Sequence, residues 1–318
     1  MLHTIKQHVK KILPRRALDV WQRRPWRPEI TRAIDSVLPD RAAVLRRHIA
    51  SHHRLPNLLN PQTYNEKVLH RILFDRRDVL TQMTDKYAVR KYVADRLGSG
   101  ILPQVYCVTS DPAEIPFNEL PSRFVVKATH GSGWVRIVHD KSALDIDELV
   151  VTCKRWLKTS YYSLDYEWPY RNVVPRLMVE EFIDDGHLKS PNDYKLLVYD
   201  GHVHFVQVHT DRLIKRRQAL FTRDWVKQAV KHGAPPILED VPRPKHLSQM
   251  IEAAEVLAKE IEFVRVDLYD TADRIYFGEL TTTPGCGLYP FYPHEFDVML
   301  GAPWHLPEGQ GWRFRRHA

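Results

Sequence analysis

The sequence predicts an α+β protein with mainly antiparallel sheets, and three observations carry that prediction. Helical periodicity fills the first third of the chain, and short β-branched and aromatic runs fill most of the rest. Two of those runs meet at Asp200-Gly201, a hairpin turn signal. Helices first and hairpins later fit an α+β arrangement rather than alternating βαβ units. At 318 residues the chain can bury a sizeable core as one large domain or as two lobes.

Taken in order, residues 29–51 read as a helix, with Ile30, Ile34, Val37 and Leu38 on one side. Asn60-Pro61 breaks the pattern, and helical spacing resumes from Asn65 to Leu80 through Val68, Leu69, Ile72 and Leu73. Thr84-Asp85 can cap a helix running through Arg96, which Gly98-Ser99-Gly100 ends. Strands are expected over 124–129 and 134–139, with His130-Gly131-Ser132-Gly133 between them. A helix over 144–157 carries Asp145, Asp147 and Glu148 in its first turn, where the helix dipole favours acids. Further strands are expected over 177–183, 194–199 and 202–209. An amphipathic helix over 247–260 precedes a final strand pair, 263–269 and 274–281.

A content of 43% hydrophobic and 27% charged residues is that of a soluble globular chain, not a disordered one. No apolar run is long enough to span a bilayer, and no apolar core follows the basic N-terminus as a secretory signal requires. Cys107, Cys153 and Cys286 are far apart with no paired spacing, which argues for reduced thiols in the cytoplasm and against a zinc site. The net charge of +8 is uneven: residues 1–30 hold eight basic side chains against Asp19 and Glu29. Leu2, Ile5, Val9 and Ile12 lie near helical spacing in that segment, with Trp21 and Trp26 beyond. Two readings fit residues 1–28, a basic helix on an anionic membrane surface and a solvated arm packed on its own domain. Nucleic acid is not an expected partner, because no aromatic-interleaved basic motif or zinc finger is present.

Four segments carry candidate chemistry. In Phe124-Val125-Val126-Lys127-Ala128-Thr129, a strand delivers Lys127 to the loop His130-Gly131-Ser132-Gly133. Glycines let backbone amides approach phosphate oxygens, and the lysine offers a point charge, yet a plain hairpin has the same pattern. Asp267 and Glu279 each sit within an otherwise apolar strand, where a carboxylate is costly unless paired or metal-bound. With Thr281 nearby they suit a hard cation such as Mg²⁺, provided an odd loop or a bulge brings them to one face. A two-residue turn at Thr271-Ala272 would pair Asp267 with Tyr276 and separate the acids; a three-residue loop would pair Arg265 with Glu279. The alternative is a cross-strand ion pair of Arg265 with Glu279. Met178 to Asp184 is a strand ending in acids, commonplace by itself. Lys195 at the start of one strand and Arg212 at the end of its hairpin partner can meet a phosphate or a substrate carboxylate, or be surface charge.

The succession Asp85-Lys86, Lys127 with its loop, Glu180-Glu181-Phe182-Ile183, then Asp267 and Glu279 resembles the ATP-grasp superfamily. The wording resembles one branch of it more closely, the TupA-like family of teichuronopeptide biosynthesis. Its marks are Tyr64-Asn65-Glu66-Lys67, Thr84 to Arg90, Lys127 to Gly133, Tyr161-Tyr162 with Glu167-Trp168, Asp193-Tyr194-Lys195, Val264 to Tyr269, Tyr276 to Thr281 and Pro284-Gly285-Cys286-Gly287. The resemblance spans roughly residues 61–302.

That resemblance implies two lobes clasping ATP, the smaller about 84–187 and the larger about 188–302, within a catalytic domain 61–305. A helical basic extension (1–60) precedes it and a basic tail (306–318) follows. It implies that Lys86 and Lys127 contact ATP phosphates, that His130, Gly131, Ser132 and Gly133 close over them, and that Glu180, Glu181 and Ile183 form the adenine hinge. Asp267 and Glu279 would hold Mg²⁺, with Arg265 beside the γ-phosphate. Superfamily members usually carry an Asn where Thr281 stands here, and the N-terminal region lacks a recognisable strand–helix domain. The implied chemistry joins a carboxylate to an amine through an acyl phosphate, with a sugar acid and an amino acid in cell-surface polysaccharide synthesis. A lipid-linked glycan at the inner membrane face is an implied partner. The rival expectations are a kinase-like phosphotransferase, a glycosyltransferase, and a protein that binds partners without turnover.

Overall fold

The computed structural model describes residues 34–184, 192–210 and 216–307. The basic segment 1–28, Arg212 and residues 308–318 lie outside them. The chain divides after Arg46 into two compact units. In the first, Arg46 Nε donates to the buried Asp35 Oδ1 at 2.8 Å.

The expected helix over 29–51 is interrupted at Pro39, which disfavours helix in the residue before it; α1 runs Asp40–His52. α2 (Tyr64–Phe74) opens with a capping box between Thr63 and Glu66. It stops short of the expected Leu80, because Asp75 leaves the helix in an extended conformation and its Oδ1 accepts the Arg77 N–H at 3.1 Å. α3 (Asp78–Thr84) and α4 (Ala88–Leu97) follow, and Gly98 ends α4 at φ 73°.

A four-stranded antiparallel sheet comes next, in the order β1 (Val105–Thr109), β4 (Leu177–Glu181), β2 (Phe124–Ala128), β3 (Val135–Val138). Alternation splits its residues cleanly. Phe124, Val126, Ala128, Leu177 and Val179 share one core with Leu149, Cys153 and Trp156 of α5 (Ile146–Lys158). Val125, Lys127, Met178 and Glu180 therefore face the other way.

The second sheet has five antiparallel strands in the order β10 (Ile275–Thr281), β9 (Phe263–Asp270), β5 (Asp193–Tyr199), β6 (His202–Thr210), β7 (Arg217–Thr222). Leu196, Val198, Val206, Val208, Val264, Val266 and Leu268 form its core face, against the helix Leu247–Leu257. The opposite face carries the polar set Asp193, Lys195, Gln207, His209, Arg265 and Asp267. Short strands β8 (Lys231–His232) and β11 (Phe291–Tyr292) pair beside it. β1, β7, β8, β11 and the helix Glu295–Gly301 were not anticipated from the sequence.

Candidate active site

Register on the five-stranded sheet assembles the charged centre. Lys195 stands opposite Asp267 on β9, and Asp267 stands opposite Glu279 on β10. The connection is neither of the two turns considered from the sequence. Asp270 pairs with Ile275, so four residues bridge the strands, and the Thr271 N–H donates to the Arg274 carbonyl at 3.1 Å. The odd residue enters later, as a bulge at Gly278 between Phe277 and Glu279. A Cβ on Gly278 would lie 3.0 Å from the Asp267 carbonyl oxygen, so glycine permits the close approach. The bulge also turns the strand: Ile275 and Phe277 enter the core, then Leu280, while Glu279 and Thr281 face outward with Asp267 and Arg265.

Arg265 binds all three outward neighbours. Its Nε and Nη2 donate to the two Asp267 carboxylate oxygens at 2.6 and 2.7 Å, and Nη2 reaches Glu279 Oε1 and Thr281 Oγ1 at 2.9 Å each. Lys195 also pairs with Asp267 and lies 3.5 Å from Asp193. Burial works against charge on Arg265, but Asp267 and Glu279 outweigh it and hold its pKa above the usual guanidinium value. Burial raises the Asp267 pKa, opposed by Arg265 and Lys195. The sequence's metal reading and its ion-pair reading thus coincide in space: the carboxylates converge, and cations occupy them.

A cavity of about 480 Å³ opens over this centre. Lys86, Lys127, Ser132, Gly133, Glu180, Glu181 and Ile183 line it together with Asp267 and Glu279. Val125, Val135, Ile137 and Phe182 give one wall an apolar surface. Lys127 forms an ion pair with Glu180. The Lys86 Nζ donates to the Gly131 carbonyl at 2.7 Å and lies 3.9 Å from Glu279. The Glu181 N–H is taken by the Gln104 carbonyl at 2.8 Å, so this group cannot serve the expected hinge.

Two residues of the expected loop depart from the expectation. His130 is buried beneath the loop, with Nε2 3.0 Å from the Trp156 carbonyl, and burial lowers its pKa. A Cβ on Gly131 would collide with the Trp134 ring, so this glycine serves packing as its carbonyl holds Lys86. Neither lines the cavity, which Ser132 and Gly133 do. Ala128, Thr129 and His130 are buried in succession, and the His130 ring lies edge-on to the half-buried Trp134.

A second cavity of about 330 Å³ adjoins the first, sharing Ser132, Asp193 and Glu279 as walls. Lys195, Arg265 and Thr281 line it, as do Arg216, Gln207, Gln218, His209, Tyr161, Glu167, Tyr170 and Tyr289. Arg216, His209 and Gln218 escaped the sequence reading, although Gln207 and His209 alternate in step with Lys195 on the paired strand. Burial, with Lys195 second, pushes the His209 pKa down to about 2, so its ring is neutral.

Two antiparallel sheets and a lysine- and carboxylate-lined cleft that opens into a second cavity define the class: a two-sheet clasp. The family model of TupA-like ATPgrasp matches residues 66–305, and the chain belongs to that family. Solved structures include the D-alanine–D-alanine ligase from Bacillus anthracis complexed with ATP, 18% identical over 65% of this chain and 56% of that one, with a TM-score of 0.38. The ATP-grasp ligase PsnB, complexed with a phosphomimetic variant of its minimal precursor, Mg and ADP, is 13% identical over 70% and 60%, with a TM-score of 0.37. The ADP complex of N5-carboxyaminoimidazole ribonucleotide synthetase is 15% identical over 65% and 46%, with a TM-score of 0.38. The chain thus spans about half to three-fifths of the length of these structures. No curated protein sequence matches it.

Proposed function

We propose that the protein is an ADP-forming ligase that joins a carboxylate to an amine through an acyl phosphate. The observation that carries this reading is the shared wall of the two cavities. A phosphoryl group in the larger cavity and a carboxylate in the smaller one would meet at Ser132, Asp193 and Glu279.

In this reading adenine lies against Val125, Ile137 and the end of β4, and Lys86, Lys127 and the Ser132-Gly133 amides face the phosphates. The donor set of Asp267 and Glu279, with Thr281 beside them, is all hard oxygen and fits Mg²⁺. Magnesium held there would offset charge on the β- and γ-phosphates. Arg265 and Lys195 stabilise the charge that builds as a carboxylate oxygen bonds to the γ-phosphorus and the bond to ADP breaks. Losing one such contact costs about 2.7–4 kcal/mol in the barrier.

The catalytic domain in this reading is 61–305, with lobes at about 84–187 and 188–302. The substrates are a sugar acid and an amino acid or similar amine of cell-surface polysaccharide synthesis. Arginines, amides and tyrosines in the second cavity support an anionic, hydroxylated ligand. Among the described residues no helix is long and apolar enough to cross a membrane. Residues 1–28 would bring the enzyme from the cytoplasm to a lipid-linked glycan at the inner membrane face. Unchanged binding to anionic liposomes after deletion of 1–28 would remove that part.

ADP release across uronic acids and amino acids tests the ligase itself. Lys127→Ala and Glu279→Ala should abolish ADP formation while leaving folding intact; full turnover by both variants would sink the assignment.

A further inference from the structure

The buried carboxyl of Glu167 has no part in the ATP chemistry above, yet it lines the substrate cavity. Glu167 precedes the turn Trp168–Tyr170 and accepts a hydrogen bond from Thr283 Oγ1 at 2.5 Å. Its carboxylate, the Asp165 carboxylate and the Cys286 sulfur lie within 4.8 Å of one another. No cation among the described residues forms an ion pair with it, unlike Asp267 and Glu279, which Arg265 holds. Asp165, by contrast, has Arg47 at 3.3 Å.

Burial first, then the charge of Asp165 and more weakly of Glu279, push the Glu167 pKa up to about 7, against the hydrogen bonds from Thr283 and Cys286. The other titratable groups facing it are Tyr161, Tyr170 and Cys286, all driven further from ionising by burial. Among these neighbours Glu167 alone exchanges a proton near neutral pH, and it does so at the wall of a cavity shared with Arg265 and Glu279.

We propose that Glu167 is the general base of the second half-reaction, taking a proton from the bound ammonium so that the free amine attacks the acyl phosphate. This rests on the ligase reading. One N–H proton passes to a Glu167 oxygen. The nitrogen lone pair then forms the C–N bond, the carbon–oxygen bond to phosphate breaks, and the second proton leaves with the phosphate. Glu167 returns its proton to solvent after the amide departs. A base poised near neutrality is fitted to this transfer, whereas a carboxylate held by Arg265 is too weakly basic.

The test separates this step from acyl-phosphate formation. The full chain is incubated with Mg-ATP and glucuronate or galacturonate, with hydroxylamine or a panel of amino acids as nucleophile. Hydroxylamine is largely unprotonated at neutral pH and needs no base. Glu167→Gln should form hydroxamate within about twofold of the wild-type rate. Its amide formation with the amino acid should fall on the order of 100-fold or more, and Glu167→Asp should recover part of it with a shifted pH profile. Equal losses of hydroxamate and amide in both variants, or no loss of amide, would overturn the assignment to Glu167 and leave the ligase standing. Wild-type protein that releases no ADP with any carboxylate and nucleophile would overturn both.

Discussion

Glu279 faces Asp267 directly across β9 and β10 because Gly278 is squeezed out between them. Without the bulge, the register set by Asp270 and Ile275 would place Gly278 opposite Asp267 and turn Glu279 into the core. The convergence of the two carboxylates therefore depends on a residue with no side chain.

Gly278→Val should for that reason harm function more than stability. Its side chain would press on the Asp267 carbonyl and on Tyr269 Cε2, which a Cβ already approaches to 3.2 Å. Overpacking of this kind costs roughly 1–3 kcal/mol. ADP formation should nevertheless fall close to background, since a restored regular register would part Glu279 from Asp267. Urea denaturation and ADP release on one preparation check this, and a variant with near-normal turnover would refute the dependence on register.

Asp267 holds both Arg265 and Lys195 in a nearly dry setting. Asp267→Asn leaves Lys195 underpaired and should cost about 3–5 kcal/mol of stability. Adding Lys195→Met removes the stranded charge, so the double variant should be more stable than Asp267→Asn alone. A double-mutant cycle by urea denaturation measures the coupling. Strict additivity would mean that the pair contributes nothing beyond its separate groups.

Much of this geometry was legible in the sequence, and the reasons differ by element. Alternation along β9 announced that Arg265 and Asp267 share a face, because Val264, Val266 and Leu268 interleave with them and take the core side. The spacing of Ile275, Phe277 and Leu280, two residues and then three, carried the bulge itself, although a loop of odd length fitted as well. Helix ends were less legible: Asp75 ends α2 through its own side-chain hydrogen bond, and Pro39 delays α1. The resemblance implied that His130 closes over phosphate, but its ring is buried, with Nε2 at the Trp156 carbonyl and its edge against Trp134. Arg216 and Glu167 were hidden for another reason. Each comes to the second cavity from a distant stretch of chain: Glu167 stood in the sequence only as one of the family marks, and Arg216 only in step with Gln218 at the start of β7, with nothing local to say what either would face.

Arg216 lines the second cavity but not the first. Arg216→Ala should therefore weaken the anionic substrate and spare the nucleotide. Removing one charge-assisted hydrogen bond costs about 1.5–3 kcal/mol, so KM for the carboxylate should rise about 10- to 100-fold. Thermal stabilisation by Mg-ATP should stay as in the wild type. Loss of both would place Arg216 with the nucleotide instead.

Glu167 also gives the fold a measurable pH dependence. Its ordinary pKa is 4.5 and in the fold it is pushed up to about 7, chiefly by burial. Between those values the folded chain binds a proton that the unfolded chain has lost, so stability falls as pH rises through that window. Below pH 4.5 both states are protonated and the penalty vanishes; above pH 7 it is fully expressed, at about 3 kcal/mol. Glu167→Gln mimics the protonated carboxyl at every pH and keeps an acceptor for Thr283. Its unfolding free energy relative to the wild type should thus rise from near zero at about pH 4 to roughly that value at about pH 8, measured by urea denaturation in a buffer series. A difference that stays flat with pH would mean that the cavity is wet enough to leave Glu167 an ordinary carboxylate, and the acid–base role proposed for it would fall with that result.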